Sequence, residues 1–292
     1  MTRTLGSSWL TRFDQSPDGL LHAALELLCG QVTAPDTTQT ALTMNAGNTL
    51  TVRNAPITSR PKLLTAWIDS QLRGIVRMRS PSFHDNVQGL RFDHIASEVQ
   101  PLFDPHFAQE LVPQDTITVD LSGSATAGDI ESWAGLVYYP ELPGIAARFI
   151  DPAQLKARMV RLHTVENSLA LGTVGGYSGE EAINAEFDLL HANSDYALLG
   201  YLVSPVAGQT VGECLAVRYR GEATGNLGLG GPGTDTDRWL THRWFVWLSE
   251  QSGMPCIPIF NSASRAGILL DGHTDENGLD VLVTSIFAEL KS

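Results

Sequence analysis

The chain has 292 residues, with 43% hydrophobic and 17% charged side chains and a formal charge of -13 from 19 basic against 32 acidic groups. That length and apolar content suit one large or two ordinary folded domains and argue against a disordered or fibrous chain. Lysine occurs only as Lys62, Lys156 and Lys291, so no basic patch is available for nucleic-acid phosphates and no direct nucleic-acid contact is expected.

The opening residues MTRTLGSSWLTRF hold no apolar run of signal-peptide type, and no segment reaches the ~18 apolar residues of a spanning helix. Neither a leader nor a membrane span is therefore expected. In SPDGLLHAALELLCG, Ser16 suits an N-cap, Pro17 the first turn and Gly30 the stop, and Leu20, Leu21, Ala24, Leu25 and Leu28 make one stripe. The spacing predicts a helix over about 17–29, packed on the core by that stripe. The upstream Arg3, Trp9, Leu10, Arg12 and Phe13 add a segment able to touch a membrane surface or a neighbouring subunit.

From about Ala41 the texture becomes short β-rich runs broken by Gly, Pro, Asn, Asp and Ser: TLTVRNAP, LLTAWIDS, GIVRMRSP, TITVDLSG, MVRLHTV and LAVRYRG. This spacing predicts an antiparallel sandwich or barrel. Helical intervals are expected near IASEVQPLFDPHFAQEL and DRWLTHRWFVWLSEQ. In the second, Trp239, Leu240, Arg243, Trp244, Trp247 and Leu248 recur at helical spacing and read as a core stripe.

The chain looks duplicated. LLTAWID (63–69) matches LLGYLVS (198–204), VRMRSPSFHDN (76–86) matches VRYRGEATGN (217–226) with Arg77 and Arg79 opposite Arg218 and Arg220, ITVDLSGS (117–124) matches IPIFNSAS (257–264), and GLVYYPEL (135–142) matches VTSIFAEL (283–290). In the last pair Tyr138 falls opposite Ile286 and Glu141 opposite Glu289. The order is the same in both halves at nearly constant separation. The predicted organisation is an arm with a helix over 1–40, a first β domain over 41–152 and a second over 153–292. In VLVTSIFAEL, Val281, Val283 and Phe287 lie on one side and Leu282, Ile286 and Leu290 on the other, so both faces of this strand ask for cover.

Chemistry-bearing motifs fail on context. Gly228, Gly230 and Gly233 spell G-x-G-x-x-G, but no parallel strand leads into them and a flexible loop is expected. GGYSGEE has Glu180 where a nucleophile elbow needs glycine, and reads as a turn. Cys29, Cys214 and Cys256 lack metal-ligand spacing and look like small buried hydrophobes of a chain made in a reducing compartment. His22, His84, His94, His106, His163, His191, His242 and His273 form no H-x-H or HExxH. DGHTDENGLD (271–280) looks like a calcium loop, but the expected glutamate falls on Thr284, and a solvated hairpin loop is predicted instead. No catalytic, cofactor-binding or metal residues are expected, and no enzyme activity.

Tandem β units, an N-terminal helix, a helical interval in each half and the paired blocks VRMRS/VRYRG, TITVDLSGS/CIPIFNSAS and GLVYYPEL/VTSIFAEL together resemble the double jelly-roll major capsid proteins of tailless icosahedral, membrane-containing viruses and bacteriophages. The resemblance covers roughly residues 40–290 as architecture. It implies a mainly β chain of two tandem jelly-roll barrels, assembled as a homotrimer that forms a pseudo-hexagonal tile of a virion shell. It further implies host-cytoplasmic synthesis, contacts with other capsid proteins such as a vertex protein, and an N-terminal segment facing an internal membrane. The competing classes are a cellular β-rich scaffold and a carbohydrate-binding or glycan-hydrolysing β-sandwich. For the latter, Glu186, Asp188 and Asp195 in EFDLLHANSD are the first candidate carboxylates.

Overall fold

A computed structural model describes residues 23–33, 42–43, 50–56, 59–69, 74–82, 89–94, 99–122, 130–142, 145, 147–173, 175–183, 193–206, 214–221, 224, 227–234, 237–274 and 279–291. The chain is mainly β. Strands β1 (Ala24–Thr33), β2 (Leu42–Thr43), β3 (Lys62–Asp69), β4 (Gly74–Arg79), β5 (Leu90–His94), β6 (Gln109–Glu110), β7 (Thr118–Ser122) and β8 (Ile130–Tyr139) make two antiparallel sheets, ordered β1-β8-β3-β6 and β2-β7-β4-β5. After β9 (Phe149–Ile150) and a short helix (Pro152–Arg158) come β10 (Met159–Leu171), β11 (Gly176–Ala182), β12 (Asp195–Pro205), β13 (Cys214–Arg220), β14 (Leu229–Pro232), β15 (Ile257–Asn261), β16 (Leu269–Thr274) and β17 (Leu279–Leu290). These form sheets ordered β10-β17-β12-β15-β9 and β11-β16-β13-β14. Counted from β10, the second half repeats the strand order of the first, with β9 added at one edge.

The repeat extends to local irregularities. The β3–β8 ladder slips one residue between Leu63 and Thr65, and the β12–β17 ladder does the same between Leu198 and Gly200. These matched bulges make Leu63 equivalent to Leu198, and so their partners Val137 and Phe287 equivalent. The sequence alignment of GLVYYPEL with VTSIFAEL is thus two residues out. β8 stops at Tyr139, leaving Glu141 and Leu142 outside it, whereas Glu289 and Leu290 belong to β17.

The third sequence block is also corrected. TITVDLSGS supplies β7, which pairs with β4; IPIFNSAS supplies β15, which lies in the other kind of sheet beside β12. The structural mate of β7 is β16, which pairs with β13, and Asp271 there corresponds to Asp120.

Two expected helices are not found among the described residues. Residues 24–29 lie in β1 rather than in a helix over 17–29; positions 17–22 lie outside the described residues. Ala24 and Leu28 pack into the core between the first half's sheets, while Leu25, Leu27 and Cys29 pack into a second core on the opposite face. A strand covered on both faces is apolar at nearly every position, and a short stretch of it contains a helical stripe by default. In the interval 95–111, the described residues form a 3-10 turn at Pro105–Phe107, capped by the Asp104 side chain, and the strand β6. Pro101 and Pro105 stand four residues apart and interrupt any longer helix. The other interval is helical as expected, with helices Arg238–Thr241 and Trp244–Ser252 separated by two residues.

Burial on both faces holds for one terminal strand and not for its mate. In β8, Trp133, Val137 and Tyr139 face the first core and Ala134, Leu136 and Tyr138 face the second, all fully buried. In β17, Val281, Val283 and Phe287 are buried, but Leu282, Thr284 and Ile286 on the other side are only partly covered. The expected dry second face is therefore incomplete in the second half.

Candidate functional site

The most elaborated chemistry in the molecule lies along the seam where the two halves meet. The outer face of β1, β8 and β3 lies against the outer face of β13, β14 and β16, with the helix Trp244–Ser252 at one end. Trp67 donates its indole N–H to the carbonyl of Leu215 at 2.9 Å and meets Trp244 edge-on at 5.7 Å between centroids. Trp244 in turn donates to the carbonyl of Gly230 at 3.0 Å, and the backbone N–H of Leu27 donates to the carbonyl of Gly228 at 3.0 Å.

The glycine run explains its own composition here. It is a buried strand with its lead-in, not the flexible loop expected. Gly228 has φ +78, which favours glycine, and a Cβ on Gly230 would come within 2.9 Å of the Leu27 side chain and 2.0 Å of the Val217 carbonyl. The glycines bring two sheets together, and no phosphate cradle is formed.

Across the seam runs a polar cluster. Arg218 donates to both carboxylate oxygens of Asp271 at 2.9 and 2.7 Å, and Arg220 reaches the same carboxylate at 2.9 Å. The Arg218 guanidinium lies 3.3 Å from the centroid of the Tyr177 ring, whose hydroxyl donates to the Cys29 thiol at 2.9 Å. Burial opposes the charge on Arg218, but Asp271 outweighs it and raises its pKa. Burial pushes the Cys29 thiol up to about 12, and that of Cys256 likewise to about 12, so neither is a thiolate nucleophile at neutral pH. His273 is fully buried with neither ring nitrogen hydrogen-bonded, and burial, reinforced by Arg218, lowers its pKa to about 4.

The first half carries the same clasp. Arg77 and Arg79 both reach Asp120, at 2.7 and 2.9 Å. Among the described residues no second sheet covers it; the side chains of Arg77 and Arg79 are 31% and 28% exposed, against 16% and 29% for Arg218 and Arg220, so the added cover in the second half falls on Arg218. The sequence displayed both Arg-x-Arg pairs. It also held the Asp mates, one strand away in VDLS and LLDGHT, but the pairing that links them was missed.

The residues singled out from sequence are dispersed. Asp195 opens β12, where burial works against its charge but hydrogen bonds from Arg148 and Asn261 prevail and hold its carboxyl below the usual range. It is a structural anchor. Glu186 and Asp188 lie outside the described residues. Glu180 belongs to β11 and pairs with Arg220, so GGYSGEE is a strand and not a turn. The flanks of 271–280 are not a hairpin: Asp271, Gly272, His273 and Thr274 are buried in β16 and β17 belongs to the other sheet, while 275–278 lie outside the described residues. His163 lies 3.3 Å from Glu289. Among the described residues no group of three or more His, Cys, Asp or Glu could hold a metal ion, and no helix is long and apolar enough to cross a membrane.

A cleft of about 510 Å³ is lined by Glu26, Val52, Arg53, Gln114, Leu142 and Leu227. Its one carboxylate, Glu26, accepts from Arg53 at 2.7 Å and from the Tyr139 hydroxyl at 2.8 Å. Both oxygens are committed, and among the described residues of the lining no second acid faces it. No protein-family model matches this sequence, and no curated protein is significantly similar to it.

Proposed function

We propose that this chain is a structural virion protein, a major capsid protein built from two tandem jelly rolls and assembling as homotrimeric, pseudo-hexagonal tiles of an icosahedral shell. The observation that carries the reading is the repeated strand order. Each half has eight strands of its own, and numbered one to eight they lie as 1-8-3-6 in one sheet and 2-7-4-5 in the facing one. This is the order produced when an antiparallel ribbon is wrapped into an eight-stranded jelly roll, a form common in capsid domains. The fully buried seam between the halves adds support, because it holds them in one fixed arrangement.

The chain's partners on this reading are further copies of itself, other shell components such as a vertex protein, and an internal membrane approached by residues 1–22. Nucleic acid is not a direct partner, and the protein resides in the virion after synthesis in the host cytoplasm. A carbohydrate-binding or glycan-hydrolysing sandwich would need convergent acids in a cleft. Among the described residues the cleft carboxylate is Glu26, already engaged by Arg53 and Tyr139, and Glu186 and Asp188 lie outside those residues.

Light scattering coupled to size exclusion, followed by electron microscopy of the same fractions, tests the proposal. The expected result is a trimer of hexagonal outline, or closed shells. A protein that stays monomeric at high concentration overturns it.

A further inference from the structure

The seam encloses a side chain whose ordinary chemistry its surroundings do not serve. His273 shares the outer face of β16 with Asp271, because a Cβ on the intervening Gly272 would point the other way, to within 2.9 Å of the Leu171 side chain in the inner core. The imidazole is fully buried, and neither ring nitrogen has a hydrogen-bond partner. The Tyr177 ring meets it edge-on at 5.4 Å, and the Tyr177 hydroxyl donates to Cys29 on β1. One residue therefore links the imidazole to the first half.

Neighbouring groups at this end of the seam are in a similar condition. Gln31, two residues beyond Cys29, packs on Gly175, whose N–H donates to the carbonyl of Thr274 next to His273. The side-chain oxygen of Gln31 and the hydroxyl of Ser132, its partner on β8, are buried without hydrogen bonds. Each forgoes a contact with water that it would regain if the two faces separated.

Among the described residues an imidazolium here finds no free acceptor. Asp271, the carboxylate on its own strand, accepts from Arg218 with both oxygens and is also reached by Arg220, which Glu180 of β11 shares. Tyr177 commits its hydroxyl to Cys29, and that thiol stays protonated. Asp69, which lies opposite Ser132 on β3, is itself engaged. A proton on His273 thus sets a second buried cation near Arg218. Relief does not require unfolding, because the ring is on the outer face and water reaches it once the seam opens.

We infer that the seam is an acid-released latch: a proton taken up by His273 parts β1 from β11 and β16 at the Cys29–Gln31 end, while the core inside each half stays closed. The latch belongs to the single chain and is independent of any assembly. Its direction follows from linkage. Above about pH 6.5 the imidazole is neutral whether the seam is closed or parted. Below that the parted seam takes up the proton first, since burial and Arg218 hold the closed site at about 4, and the balance moves toward parting as pH falls between these values.

The cysteines supply the test. Cys29 lies in the seam, whereas the Cys214 sulfur sits 3.5 Å from where a Cβ on Gly272 would be, on the inner side of the same sheet. The full-length chain is labelled with a dithiodipyridine at about pH 7.5 and about pH 5.5, each rate being read by peptide mass spectrometry and normalised to a free-cysteine peptide at the same pH. Cys29 is expected to label about 10-fold faster at the lower pH, with Cys214 unchanged. The acceleration is expected to vanish in His273→Gln and in His273→Ser, the latter supplying the residue type that Ser122 provides at the equivalent position of β7. Equal acceleration of Cys29 and Cys214 in the wild type means general unfolding and overturns the inference. No acceleration of Cys29 in the wild type overturns it whatever the variants do, and acceleration that persists in a folded variant overturns the assignment to His273.

Discussion

The two halves share a strand order and differ in what covers them, and the difference separates residues that make a fold from residues that join folds. The inner faces of the sheets are largely apolar in both halves, with Glu26, Glu131, Asn167 and Ser285 as buried exceptions. On the outer faces, Leu25, Leu27, Leu136 and Tyr138 of the first half are dry, while Leu162, Thr164, Glu166 and Ser168 of the second are exposed. The Arg–Asp clasp is kept in both halves with its carboxylate buried in each, and the difference in cover falls on one arginine, Arg77 being 31% exposed and Arg218 16%. The strand order therefore tolerates either surface, and burial of the outer face is a property of the seam.

Removing the anchor of the seam should break this contrast most. Trp67→Ala deletes a fully buried side chain, its hydrogen bond to Leu215 and its edge contact with Trp244, and is expected to cost about 3–5 kcal/mol in denaturant unfolding. Unfolding in two steps would indicate that the halves then melt separately. Next come the equivalent clasps. Asp271→Asn leaves Arg218 charged and covered, at a cost of about 3 kcal/mol, whereas Asp120→Asn should cost about 1–2 kcal/mol because water reaches its partners. Equal losses at the two sites would show that cover does not distinguish them.

Acid should act on one half only. His273 sits in the second half, where the equivalent residue of β7 is Ser122. Its folded pKa is about 4, against 6.5 for an ordinary imidazole. The unfolded chain therefore takes up the proton first as pH falls, and stability drops between these values. The contribution is full above pH 6.5, and about 1.4 kcal/mol of it should be lost by pH 5.5. Chemical unfolding of His273→Gln across this range should lack that slope. Smallest of all, Leu162→Ser should change the unfolding free energy of the isolated chain by less than about 0.5 kcal/mol, since that side chain is exposed until something covers it.

Much of this was legible in the linear order of residues. The β texture, the matched Arg-x-Arg strands, the LLTAWID and LLGYLVS strands and the helix around Trp244 are where local pattern places them, because β-branched and aromatic runs, the repeated blocks or a clear helical period mark each of them. What failed did so for a common cause. β1 is buried on both sides, so its leucines satisfy a helical stripe as well as a strand. IPIFNSAS resembles ITVDLSGS in texture alone, and only the pairing of Asp120 and Asp271 with their arginines, a relation between distant strands, identifies β16 as the true mate of β7. The seam was invisible in the same way: no local period distinguishes an outer face that meets a sibling from one that meets water.

The small strand β9 carries a mechanical consequence. Phe149 and Ile150 precede the expected boundary at 152, yet they pair with Pro258 and Ile257 of β15, and Arg148 grips Asp195 immediately before them. The end of the passage from one half to the other, from Arg148 to Ile150, is stitched into the second half's sheet. The second half is thereby fastened at its entrance, so that the chain is already locked to the β15 edge before its first long strand begins.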